Sequence, residues 1–215
     1  MKDFIKTALA GYLLISSSFC LSDELVPDSM RYFPLTIGTT WEYHTYTKDN
    51  KESFMMKVIV EEPEEYKGKI YHILTQKDTR GQMRSFLEIT EESINVKKTG
   101  VKKSFTPEVS AVHEPALPLF PFNLEKDHTF HWEGRLKIAF VNKDIILDGR
   151  IIGEEEIEVP AGRFTCIKIH FHQKRGEEIT DEYAWYAPGA GQVKYIGSTY
   201  IKELSKFIPA APAEN

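Results

Sequence analysis

Between residues 40 and 105 apolar side chains recur at every second position, not at every third or fourth. Trp41 and Tyr43 share one face of the first run, and Phe54, Met56, Val58 and Val60 share one face of the next. Tyr71, Ile73 and Thr75, then Ser85, Leu87 and Ile89, continue the same period. A two-residue period is that of a half-buried strand, because successive Cβ atoms point to opposite sides of a pleated sheet. Residues 48–51, the segment around Pro63 and Gly68, and Gly81 interrupt the runs where turns are expected. Residues 94–97 and 101–105 read as two short strands flanking Thr99-Gly100.

The pattern resumes in the second half. Leu136, Ile138 and Phe140 alternate, and Asn142-Lys143-Asp144 reads as a turn. A long run over 145–159 is interrupted by Gly149 and Gly153, which read as bulges or bends. Val159-Pro160-Ala161-Gly162 has the residues of a type I turn, and Pro188-Gly189 those of a type II turn. Strands are expected over 164–173 and 179–186, with Arg175-Gly176 between them, and over 192–202 as the closing strand. The predicted fold is all-β: an antiparallel meander forming a curved sheet, a barrel or a half-barrel.

Pro107, Pro115, Pro118 and Pro121 interrupt this pattern. Proline lacks the donor a central strand needs, so the stretch is expected to be an ordered surface connection. A single β-rich domain over 23–208 then has halves at about 32–106 and 118–205, joined through 107–117, with a flexible tail at 209–215. Phe33-Pro34-Leu35 and Phe120-Pro121-Phe122 each precede an aromatic strand, as in two related halves; two unrelated apolar lead-ins explain them equally well.

The hairpin across Arg175-Gly176 invites a register. Placing Ile167, Ile169 and Phe171 beside Tyr183 and Trp185 gathers the apolar residues on one face. Lys168, His170 and His172 then join Thr180 and Glu182 on the other. Asp181 is the misfit in this arrangement.

At the N-terminus, Lys2 and Lys6 precede an apolar stretch at 8–15, then Ser16, Ser17 and Ser18. This is the layout of an export signal over residues 1–22, and the stretch is shorter than the roughly 20 residues of a spanning helix. Cleavage after Ser22 competes with lipidation at Cys20, where Phe19 is a poor match to a lipoprotein signal. The expected location is therefore the periplasm, the outer membrane through a lipid anchor at Cys20, or the extracellular space. Cys166, the other of two cysteines, reads as a small buried hydrophobe.

Composition narrows the function. The 215 residues carry a formal net charge of −5, so no basic footprint for nucleic acid exists. No nucleophile elbow, phosphate-cradling glycine loop or paired-cysteine motif occurs, so no catalytic residue and no cofactor is assigned. His170 and His172 project the same way from a strand, with Glu182 as a third candidate metal ligand. A solvent-facing His–Glu surface is the plainer account of those three. Aromatic residues make up 12% of the chain. Trp41, Tyr43, Phe130, Trp132, Tyr183 and Trp185 fall on predicted strands, where they pack a core or line a site for an apolar ligand.

Three patches resemble uncharacterised bacterial exported proteins and lipoproteins. They are Tyr32-Phe33-Pro34-Leu35 with Gly38 and Trp41, Val159-Pro160-Ala161-Gly162-Arg163-Phe164, and the run from Trp185-Tyr186-Ala187-Pro188-Gly189 to Lys194. The resemblance implies export and a β-rich envelope protein, and it supplies no catalytic residues. The expected function is a non-enzymatic exported cell-envelope protein that binds a lipid or other hydrophobic small molecule in a barrel or groove. A structural or interaction module with an envelope protein partner is the first alternative, and a metal-dependent hydrolase the second.

Overall fold

Alternation at this length closes on itself. The computed structural model describes residues 27–49, 51–103 and 106–211. Twelve antiparallel strands form one closed barrel: β1 (Thr40–Thr47), β2 (Ser53–Tyr66), β3 (Lys69–Asp78), β4 (Gly81–Ile89), β5 (Ser93–Lys103), β6 (Val109–Pro121), β7 (Thr129–Ile138), β8 (Val141–Val159), β9 (Gly162–Arg175), β10 (Glu178–Ala187), β11 (Gly191–Ile196) and β12 (Tyr200–Ile208). Each strand pairs with its sequence neighbours, and β1 pairs with β12 to remove both edges. A short 3-10 helix at Asp28–Tyr32 precedes β1. No helix among the described residues is long and apolar enough to cross a membrane. The export segment, Cys20 and the last four residues of the tail lie outside the described residues.

Several expectations are corrected. From Val109 the proline-rich stretch is strand β6, paired with β5 at Val109–Val112 and again from Leu117 to Pro121. Its ladder with β7 covers only Ala111 to Glu114, so Pro115, Pro118 and Pro121 lie where no β7 partner asks for a donor. The domain therefore has no connection between halves, since β6 is part of the wall. Pro63 likewise sits inside β2, at the register shift between Glu61 and Glu64. Gly100 lies within a single strand β5, not between two. The predicted closing strand is a hairpin, with Gly197, Ser198 and Thr199 between β11 and β12. The turn placed at Asn142-Lys143-Asp144 falls earlier, at Ala139-Phe140, where Ala139 adopts a φ of 48°.

The two glycines of β8 differ. Gly153 is a bulge, at φ 117° and a shift in register against β9. Gly149 is a regular ladder position opposite Phe130, whose ring lies over the missing side chain. A Cβ at 149 would collide with that ring. Gly149→Ala is expected to lower stability by about 1–3 kcal/mol through overpacking. Combined with Phe130→Ala it should cost much less than the sum of the two changes, a non-additivity that urea unfolding would measure.

Strands β8 and β9 are the longest hairpin, and its tip folds against the barrel wall. The Ala161 N–H donates to the Leu204 carbonyl at 2.9 Å. Val159 and Cys166 pack in one cluster with Trp185, Val193 and Leu204. Burial, and then the Glu155 charge, push the Cys166 thiol up to about 12, which fits a packing residue and not a nucleophile.

Candidate functional site

Directly opposed residues of an antiparallel pair lie on the same side of the sheet. Register therefore fixes which side chains look inward. On β1 these are Trp41, Tyr43 and Thr45, which face Val58, Met56 and Phe54 of β2. Across the seam, Tyr43 meets Leu204 and Thr45 meets Lys202 of β12. Lys202 in turn faces Tyr195 of β11, and Tyr195 faces Ala184 of β10.

A barrel of about eight strands is filled by its own side chains, and wider barrels leave room. Here one end is filled by the chain leading into β1. Phe33 packs its ring 5.7 Å from Phe120 and 6.0 Å from Tyr186, and Phe120 meets Tyr186 edge-on at 4.9 Å. The Gly189 N–H donates to the Arg31 carbonyl at 2.7 Å, and Trp41 Nε1 donates to the Ala190 carbonyl at 2.6 Å. Gly191, at φ 75°, lies where a Cβ would press on the Trp41 ring. The run from Pro188 to Gly191 thus anchors the closed end.

Above this plug is a cavity of about 240 Å³. Phe33, Trp41, Val58, Leu74, Val96 and Leu119 give it apolar walls. A second lobe of about 220 Å³ shares Gln76, Leu117, Leu119, Tyr186, Gln192 and Lys202 with the first. That lobe shares Gln173, Glu182, Tyr195 and Tyr200 with a polar recess that also includes Ser198 and Thr199 of the β11–β12 turn. The lumen therefore grades from an aromatic floor to a hydrophilic mouth.

Lys202 stands where the lobes join. It is 8% exposed and forms no ion pair among the described residues. Its ammonium lies 4.8 Å from the Tyr43 ring centroid and 5.5 Å from that of Tyr195. Burial pulls its pKa down from 10.5 to about 8. Nearby, the Tyr195 hydroxyl donates to Glu182 Oε2 at 2.6 Å, and burial and then the Glu182 charge raise the phenol's pKa well above its ordinary range. His113 also lines the first lobe; desolvation, then the charges of Arg175 and Lys97, hold it down to about 4. Its Nδ1, the Thr45 hydroxyl and the Trp132 indole N–H are buried without a hydrogen-bond partner. In sequence, Lys202 was one more polar residue on a strand; its place on the apolar face of Tyr200 and Leu204 was the available signal.

The predicted binding aromatics divide. Trp41 and Tyr43 line the lumen. Phe130 and Trp132 also lie on the inner face, but they pack with Leu136, Ile145, Leu147 and Phe171 as core. Tyr183 and Trp185 face the other way: Tyr183 stacks on His170 at 4.7 Å, and Trp185 Nε1 donates to Glu155 Oε2 at 3.2 Å.

That reversal corrects the predicted register. The loop between β9 and β10 is Gly176-Glu177, not Arg175-Gly176, so His170 pairs with Tyr183 and His172 with Asp181. A one-residue slip moves every side chain to the opposite face. Gly176, at φ 65°, supplies the left-handed residue that a two-residue hairpin requires. Glu182 therefore points into the barrel opposite Phe171, and the proposed ligand set His170, His172 and Glu182 is not assembled. The carboxylate beside the histidines is Asp181, whose Oδ1 lies 2.7 Å from His170 Nε2 and 3.0 Å from His172 Nδ1. Those bonds hold the Asp181 carboxyl below its usual range. No group of three or more His, Cys, Asp or Glu side chains among the described residues is arranged to hold a metal ion.

Fold and lumen together define a closed twelve-stranded up-and-down barrel with an internal cavity open at one end. No family model and no curated protein matches the sequence. The chain is similar in structure to a candidate lipoprotein of Parabacteroides distasonis ATCC 8503, at 16% identity and a TM-score of 0.48 over 82% of this chain and 98% of that one. It is also similar to a candidate exported protein with a YmcC-like fold from Bacteroides fragilis NCTC 9343, at 17% identity and a TM-score of 0.44 over the same shares.

Proposed function

We propose that this barrel is an exported cell-envelope protein that binds a hydrophobic small molecule or lipid in its lumen and does not act as an enzyme. The observation that carries this reading is the cavity of about 240 Å³, walled by Trp41, Val58, Leu74 and Leu119 above an aromatic plug. Side chains do not fill this space, and apolar walls with a few polar groups at one end are the usual make-up of a small-molecule site. Export rests on the basic and apolar N-terminal pattern of residues 1–22.

The test uses a neutral apolar fluorophore, N-phenyl-1-naphthylamine. Saturable one-to-one uptake is expected, with energy transfer from Trp41. Leu74→Trp, which fills the cavity, is expected to abolish uptake while leaving the far-UV circular dichroism of a β-barrel. Uptake that never saturates, or that survives the filling substitution, rejects the lumen as a binding site. Cell fractionation that recovers the chain only from the cytoplasm rejects the export reading.

A further inference from the structure

The lumen holds one feature that an apolar carrier does not need. A buried ammonium without a counter-ion is costly, and a barrel that bound only neutral molecules would be more stable with a leucine or methionine there. Lys202 nevertheless stands at the junction of the two lobes, facing Thr45, whose hydroxyl is also buried and unpartnered. Gln76 and Gln192 line the same junction, and both have side-chain amide donors. Below the junction the walls are mainly apolar, with Ser85, Thr99 and His113 the polar exceptions, and above it Gln173, Glu182, Tyr195 and Tyr200 lead to the mouth.

We infer that Lys202 anchors the carboxylate of a single-chain amphiphile of the fatty-acid type, held with its tail in the closed end of the barrel and its acid group at the junction of the two lobes. This rests on the lumen being the binding site. The order of the walls sets the orientation. A tail entering first reaches Trp41, Val58, Leu74 and Phe33, and the acid stops level with Lys202, where Gln76 can donate to its second oxygen. One cation matches one negative charge. Arg175, another cation that faces inward, lies at the mouth and already donates to Gln173 Oε1 at 2.9 Å. A doubly charged phosphate would leave one charge unmatched in a low-dielectric chamber.

The groups facing Lys202 allow the pairing to be read by pH. Tyr43 on β1, Tyr186 on β10, and Tyr195 and Tyr200 on β11 and β12 all have pKa values raised above the ordinary phenol value, so they stay neutral through pH 9. His113 on β6 is already neutral above about 4. Glu182 on β10 faces the same space and accepts the Tyr195 hydroxyl hydrogen bond. Among the tyrosines, His113 and Lys202, the one that changes charge between pH 7 and 9.5 is Lys202, at about 8.

The experiment compares 11-(dansylamino)undecanoic acid with its methyl ester. Wild-type protein is expected to bind the acid at least about tenfold more tightly, the range of one charge-assisted hydrogen bond. Lys202→Met should remove that preference and leave ester binding intact, and Lys202→Arg should keep it. Should Lys202→Met not fold, the wild-type titration decides the matter. Affinity for the acid should fall several-fold between pH 7 and 9.5, while affinity for the ester stays constant. Equal binding of acid and ester by wild-type protein, or an acid affinity unmoved by Lys202→Met and by pH, overturns the anchor while the lumen site stands. Binding of neither probe overturns the lumen site and the anchor with it.

Discussion

Phe120→Ala is expected to destabilise the barrel by about 3–5 kcal/mol, the largest single-substitution effect proposed for this molecule. Phe120 is fully buried, and its ring meets Phe33 on one side and Tyr186 on the other. Its loss removes a large transfer free energy and leaves a cavity that two strands and a lead-in segment would have to collapse to fill. Collapse is resisted because Ile94 holds Phe120 in a ladder and the Phe122 N–H donates to the Glu92 carbonyl at 2.8 Å. The urea midpoint should fall with little change in slope, since the surface exposed on unfolding barely differs. A loss under about 1 kcal/mol would falsify the account of the plug as the main packing element of the closed end.

Lys202→Met should act in the opposite direction, raising the stability of ligand-free protein at neutral pH by about 2–3 kcal/mol. The folded-state pKa of Lys202 is depressed to about 8 from 10.5. Below pH 8 both folded and unfolded chains hold the proton, and the native state bears the whole cost of a buried charge. Between about 8 and 10.5 the unfolded chain keeps a proton that the native chain has released, so wild-type stability rises with pH. The advantage of the methionine variant should therefore be full at pH 6.5 and shrink at pH 9.5. Contacts of the ammonium with Tyr43 and Tyr195 offset part of the cost, which is why the gain is set slightly below the full shift. Urea unfolding of both proteins at the two pH values measures it. A methionine variant that is less stable at pH 6.5, or an advantage independent of pH, would show that the amine is not desolvated in the native barrel.

The two substitutions bracket the design of the lumen. One end is made as dry and tightly packed as a protein core, while the other keeps a polar group that packing alone would discard. Stability sacrificed at a specific position is a common mark of a functional site, and the proposed anchor Lys202 is one such position among the described residues.

Strand content, antiparallel meander and most turns were legible in the chain because they depend on local chemistry. Side-chain alternation with period two, Pro160-Ala161 between β8 and β9, and Pro188-Gly189 after β10 each act within a few residues. Proline misled because its cost depends on whether a neighbouring strand requires its donor, and β7 makes no such demand beyond Glu114. The histidine hairpin misled for a related reason. Counting apolar residues favoured one register, and the two-residue loop Gly176-Glu177 imposed the other, turning Glu182 inward and Asp181 toward His170 and His172.

The sequence by itself determined that this protein is built of strands with one buried face each, since residue-by-residue polarity sets that. Closure was decided only in three dimensions: β1 meets β12 across more than 150 residues of chain, and no local pattern encodes that seam. The same closure sets the interior width, leaves a cavity above Phe33 and Phe120, and brings Lys202 from a strand that reads as ordinary into the middle of it.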